Sequence, residues 1–146
     1  DRKKDIIVTA GGKNVAPQNI ENLLRARCPF VSQVVVHGDR RNFCTAILTI
    51  QEEATARWAR EHGVPFTDYA SLAARPEVRA LVQQCVDAVN RELASYESIK
   101  KFAILDRDFS QENGELTPKM NIRRREVEQR HRDLLDSFYT GTIERL

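Results

Sequence analysis

Apolar positions along this chain come in short blocks of changing period, and the period assigns the elements. Ile6, Ile7 and Val8 are consecutive β-branched residues and predict a strand. Gly11-Gly12 follow as a turn, since glycine accepts a positive φ that other residues resist, and Pro17 suits a first helical position. Ile20, Leu23, Leu24 and Cys28 then recur at helical spacing until Pro29 stops the pattern. Two β-rich runs, Val31 to His37 and Phe43 to Ile50, flank Gly38-Asp39-Arg40-Arg41-Asn42, which has the composition of a hairpin loop, so they are expected to pair antiparallel. Val34 and Val36 share one face of the first run, and Cys44, Ala46, Leu48 and Ile50 one face of the second. Each strand thus offers a single buried side to a helix layer.

Further on, residues 51 to 62 read as a helix with Ala54, Trp58 and Ala59 clustered and Gly63 placed to end it; Trp58 is expected to anchor a core or satellite cluster. Residues 64 to 74 are turn-rich, with Thr67 or Asp68 able to cap a short helix. A long helix begins near Pro76 and carries Val78, Leu81, Val82, Cys85, Val89 and Leu93 on one stripe. Phe102 to Leu105 predicts a third strand, Asn113-Gly114 a turn, and the residues from Glu115 to Met120 an extended, exposed loop. From Ile122 a basic helix runs through Val127, Leu134, Leu135 and Phe138, spanning about 122–139. The expected class is α+β: a small antiparallel sheet, made of the N-terminal β-turn segment, the central hairpin and the later strand, packed by several helices. Strands and helices alternate too irregularly for a doubly wound sheet.

Composition narrows the function classes. At 146 residues the chain fits one domain, 1–146, with a core of its own. Its 23 basic and 21 acidic residues leave a net charge of +2, too balanced to indicate a nucleic-acid binder. Cys28, Cys44 and Cys85 are odd in number and widely spaced, and read as reduced core thiols of a cytosolic protein. No apolar run approaches the roughly 18 residues that span a bilayer, and the N-terminus is charged, unlike a signal peptide. His37 lies near a strand end and reads as solvent-facing or hydrogen-bonded, not catalytic.

No Ser/His/Asp group, carboxylate pair or His/Cys metal spacing stands out, which argues against a self-contained enzyme. Three basic edges remain: the N-terminal charges, the Gly11-Gly12-Lys13 turn and the Pro118 loop. A strand entering a glycine turn beside a lysine suits phosphate, but its spacing fits neither the P-loop nor the dinucleotide fingerprint. Arg123, Arg124, Arg125, Arg130 and Arg132 invite RNA or anionic-membrane binding. Glu126, Glu128, Asp133 and Asp136 interleave with them, however, and favour intrahelical ion pairs on a solvated face.

Asp-Arg-Lys-Lys-Asp-Ile-Ile from Asp1, Gly-Gly-Lys-Asn-Val-Ala-Pro from Gly11, and Ile20-Glu21 resemble the hinge and following loop of the adenylate-forming acyl-CoA synthetases, most closely the long-chain fatty acid ligases. The resemblance extends from Asp1 to about Tyr139. It implies an acid–thiol ligase cut at its hinge (residues 1–5), with a long-chain-type helical insertion at about 51–75 and a separate N-terminal ATP-binding lobe as partner. That lobe would hold most of ATP and Mg2+; fatty acid and CoA are the implied co-substrates, and the isolated domain is expected to be inactive. The implied setting is cytoplasmic, with a peripheral anionic membrane surface as a further partner and no nucleic acid. Alternatives are the same domain of another adenylate-forming ligase, one feeding an acyl carrier among them, or a non-enzymatic basic interaction module.

Carried over residue by residue, Lys4 matches the hinge and Arg2 an arginine that approaches the adenylate ribose; otherwise both are a solvated basic strand end. Gly11, Gly12 and Lys13 match the loop facing CoA, where missing side chains let backbone approach the pantetheine arm. The family's Thr-Pro-Thr-x-Lys run reads Thr117-Pro118-Lys119-Met120-Asn121 here, so Asn121 occupies the expected lysine position. Lys119 lies two residues earlier, and in an extended segment it points to the same side. It is the candidate for the ammonium between carboxylate and α-phosphate, against the alternative of a solvated loop lysine.

Overall fold

Strand β1 (Ile7–Val8) pairs antiparallel with β2 (Asn14–Val15), Ile7 opposite Val15. The turn between them closes at Gly12, whose φ of +82° demands glycine, with its N–H donating to the Thr9 carbonyl at 2.9 Å. Helix α1 (Pro17–Arg27) starts on a proline, which lacks the N–H that a first turn leaves unpaired, and ends with Arg25 and Arg27 beside the negative end of its dipole. Strands β3 (Val31–His37) and β4 (Cys44–Ile50) form the expected antiparallel pair. Helices α2 (Glu52–Glu61), α3 (Tyr69–Ala73) and α4 (Pro76–Asn90) follow. Asp68 caps α3, its carboxylate accepting from the Ser71 N–H at 2.9 Å while the Ser71 hydroxyl oxygen accepts from the Asp68 N–H at 3.0 Å. These boundaries come from a computed structural model that describes residues 6–140.

The later strand departs from expectation. β5 (Ile99–Ile104) joins β4 in parallel, giving a mixed sheet of order β3-β4-β5 beside the two-stranded one. Helices α2 to α4 form the crossover that brings the chain back to the same end of the sheet, as a parallel neighbour requires. Both faces of the sheet are covered, so every residue of β4 is buried. On one face Val34, Val36, Ala46 and Leu48 meet Ile20 and Leu24 of α1 and Val82, Val86 and Val89 of α4. On the other, Val35 and Ile47 meet Leu105, Phe109, Val127, Leu135 and Phe138 from the C-terminal stretch. Alternation along the strands predicted only the first of these layers. Trp58 packs half-buried on a third cluster around Ile50, Ala59 and Leu72, as expected.

Two further expectations are corrected. The basic helix is divided into α5 (Arg124–Arg130) and α6 (Arg132–Ser137) at His131, whose backbone (φ −109°, ψ 25°) leaves the helical region. Cys28 and Cys85 are not separate thiols: they form a disulfide with a Cα–Cα distance of 5.7 Å, joining the end of α1 to α4, while Cys44 stays free and buried. Contact between those helices places them together, and a separation of 57 residues hides it in the sequence.

A buried ion pair holds α5 against the strand edge. Arg124 donates to both oxygens of Glu21 at 2.7 Å, and Glu21 in turn accepts from the Val36 N–H at 2.7 Å. Arg124 also donates to the Val36 carbonyl at 3.3 Å. Two side chains thus satisfy the outward N–H and C=O of edge strand β3, a substitute for the neighbouring strand it lacks.

Candidate functional site

The glycine turn is stapled in place from beneath. Ala10 N–H donates to the Arg41 carbonyl at 2.9 Å, Arg40 N–H to the Val8 carbonyl at 2.8 Å, and Val8 N–H to Asp39 Oδ1 at 3.0 Å. The β3–β4 loop therefore holds the turn rigid while its tip faces outward. A Cβ at Gly11 or at Gly12 would meet nothing within 4 Å, so both glycines border open space. Lys13 extends over the exposed Tyr96 ring, its Nζ 5.7 Å from the centroid. Behind them the Cys44 thiol contacts the Tyr96 carbonyl at 3.7 Å; burial, with the charge of Glu97 aiding and Lys100 opposing, pushes its pKa up to about 11. Cys44 is therefore a protonated packing group, not a nucleophile.

The Pro118 loop is exposed as expected but not extended. Met120 N–H donates to the Thr117 carbonyl and Thr117 N–H to the Asn121 carbonyl, both at 2.8 Å, and Leu116 bridges Ile122. This is a tight hairpin with Pro118, Lys119 and Met120 as its tip, and Met120 adopts φ +65°, where a bulky side chain is disfavoured. Lys119 and Asn121 consequently do not share a side through strand pleating: Lys119 sits in the turn, Asn121 on the returning arm.

The two edges are not brought together. Val15 roots the glycine turn in the cluster on one face of the sheet, and Leu116 and Ile122 root the hairpin on the other. The large apolar side chains exposed among the described residues follow the same division: Ile6, Val8 and Tyr96 lie on or against the glycine-turn edge and Met120 is in the hairpin. Arg2 and Lys4 lie outside the described residues. His37 is hydrogen-bonded, as expected, to Glu128 at 2.8 Å. Of the C-terminal arginines, Arg123 lies 3.8 Å from Glu126 three residues on, the local pairing expected, whereas Arg124 pairs across elements with Glu21; the acids Glu128 and Asp136 of the same stretch are taken by His37 and Arg41.

Residues unmarked by the sequence reading form the base of the hairpin. Glu115 is fully buried and accepts from Arg107 at 2.8 and 3.1 Å and from the Ser110 N–H at 3.2 Å. Burial pushes its carboxyl up, and the Arg107 and Ser110 hydrogen bonds with the Arg107 charge outweigh that and hold it below the usual range. His131, 3.8 Å away, is pushed down by burial against the pull of Glu115. A glutamate following Asn-Gly and preceding one leucine carries no periodic signal that would mark it as buried.

The fold is thus an α+β lobe that presents two exposed loop edges from opposite sides of one sheet. Residues 4–142 match the AMP-binding enzyme C-terminal domain family. Over 139 residues the chain is 41% identical to long-chain-fatty-acid–CoA ligase FadD15 of Mycobacterium tuberculosis, covering 94% of this chain and 23% of that protein. It is 32% identical to long-chain-fatty-acid–CoA ligase ACSBG2 of Gallus gallus, over 94% of this chain and 20% of the relative. Among solved structures, the adenylation domain of a carboxylate reductase from Mycobacterium chelonae superposes with a TM-score of 0.74 at 25% identity, covering 97% of this chain and 20% of that one. The chain belongs to the AMP-binding enzyme C-terminal domain family, and it spans about a quarter or less of the length of the relatives it matches.

Proposed function

We propose that this chain is the mobile C-terminal lobe of an ATP-dependent long-chain fatty acid CoA ligase. In the first half-reaction ATP and a fatty acid give acyl-adenylate and pyrophosphate, with the Lys119 ammonium offsetting repulsion between carboxylate and α-phosphate. The lobe then turns about a hinge at Lys4, with Arg2 near the adenylate ribose. The CoA thiol attacks the adenylate carbonyl, AMP leaves, and Gly11, Gly12 and Lys13 face the pantetheine arm. The observation that carries this reading is the division of the exposed apolar side chains between two loop edges on opposite faces of one sheet, one edge for each orientation against a partner lobe. The 41% identity to 23% of a long-chain ligase supports a separate N-terminal lobe as the partner. Among the described residues no group of three or more His, Cys, Asp or Glu could hold a metal ion, and ATP and Mg2+ are assigned mainly to the partner lobe. An anionic membrane surface is proposed as a peripheral contact; among the described residues no helix is long and apolar enough to cross a membrane.

The test separates the half-reactions in the full-length protein. Lys119→Ala is expected to slow ATP/pyrophosphate exchange and spare thioester formation from supplied acyl-adenylate; Gly11→Ala, which meets open space within the chain, is expected to do the reverse. Unchanged exchange in the first variant removes Lys119 from the mechanism. A likeness to the A-PCP didomain of the carboxylic acid reductase from Segniliparus rugosus, with a TM-score of 0.71 at 25% identity, favours a second reading, in which the acceptor is a carrier-bound thiol. Comparing free CoA with a carrier protein as acceptor decides between them.

A further inference from the structure

We propose that Glu115 is a positioning residue for adenylate formation, acting through the hairpin that carries Lys119. The inference rests on the role proposed for that lysine. Between β5 and α5 the chain runs from 105 to 123 without a helix, and beyond Leu105, which still bonds to Leu48 of β4, its strand-like pairing is the short hairpin around the Leu116–Ile122 bridge. A stretch of that kind needs an internal anchor to hold one shape. Glu115 supplies it at the point where the hairpin begins. Its Oε1 accepts from Arg107 and from the Ser110 N–H, and its Oε2 accepts from Arg107. Its backbone works in the same direction: Glu115 N–H donates to the Ser110 carbonyl at 3.0 Å, and Arg123 N–H donates to the Glu115 carbonyl at 2.8 Å. One residue thus closes the turn before the hairpin and fastens the arm that leaves it. A buried carboxylate held by a guanidinium fork fixes direction as well as distance. Lys119 has no such support of its own. It is exposed at the tip, next to Met120 in its disfavoured conformation, so its aim depends on the base.

Two measurements test this. In the isolated chain, Glu115→Gln keeps the side-chain shape and removes the charge. Hydrogen exchange at the bonded amides of Thr117, Met120, Asn121 and Arg123 is expected to rise at least about ten-fold, with β4 amides still protected. In the full-length protein, acyl-adenylate formation is expected to fall roughly ten- to hundred-fold, the scale of an ångström-level misplacement, with thioester formation from supplied acyl-adenylate within about two-fold. If Glu115→Gln does not fold, Arg107→Ala replaces it, since Arg107 is 43% exposed, and Arg107→Lys is expected to restore part of the loss. Unchanged exchange, or equal loss in both half-reactions, overturns the proposal. A silent Lys119→Ala beside a released hairpin refutes the lysine's role and with it the catalytic part of this inference. An adenylation defect in Lys119→Ala beside an unreleased hairpin in Glu115→Gln refutes the anchor alone.

Discussion

Removing the guanidinium of Arg124 is the perturbation whose cost the structure defines best. Glu21 is 4% exposed and takes two charge-assisted hydrogen bonds at 2.7 Å from Arg124, so Arg124→Ala strands a buried carboxylate with only the Val36 N–H left. Breaking a buried pair from one side costs about 3–5 kcal/mol. In a domain of this length each kcal/mol shifts the melting temperature by about 3 °C, so a fall of about 9–15 °C is expected. Urea unfolding of this chain followed by circular dichroism is the assay, with an unchanged m-value showing that both end states are preserved. The double variant Glu21→Met/Arg124→Met sharpens it. Replacing an ion pair with apolar groups is often neutral, but here the edge N–H and C=O of Val36 lose their partners, at about 1–3 kcal/mol for each buried group left unpaired. A cost below about 1 kcal/mol for Arg124→Ala refutes the buried pair. A double variant as stable as the parent refutes the strand-edge role.

Three more outcomes are expected. Gly12→Ala, forced to φ +82°, destabilises by about 1–2 kcal/mol, whereas Gly11→Ala stays within about 0.5 kcal/mol; equal costs in chemical denaturation would show that the turn is misassigned. Reducing Cys28–Cys85, which links residues 57 apart, lowers unfolding stability by up to about 4 kcal/mol on chain-entropy grounds, and a melting temperature indifferent to reductant would show that the link does not form. His131 has its pKa lowered from 6.5 by burial, with Glu115 pulling it up and Arg107 and Arg130 pushing it down. The unfolded chain therefore binds the proton first, and stability contributed by neutral His131 is full above about 6.5 and is lost as pH falls below it. His131→Gln is expected to flatten stability between about pH 7 and about pH 5; an unaltered slope excludes this histidine as its source.

Much of the fold follows from local chemistry. Positive φ at Gly12 and Gly63, proline at the start of α1 and α4, the Asp68 cap and the Val78-to-Val89 stripe each act within a few residues, and the turns and helices that these signals predicted are present. The glycine turn and the Thr117 to Asn121 run were likewise recognisable as motifs. What tertiary structure alone decided is every feature that couples distant residues: β5 running parallel beside β4, the second helical layer that buries Val35 and Ile47, the Cys28–Cys85 link, and Glu21 meeting Arg124. Periodicity reports which side of an element is apolar, not what lies against it, so the far side of β4 could not be read in advance. The same limit hid Glu115. Its burial is stable only because Arg107 and the Ser110 amide converge on it, and that convergence is a property of the folded loop.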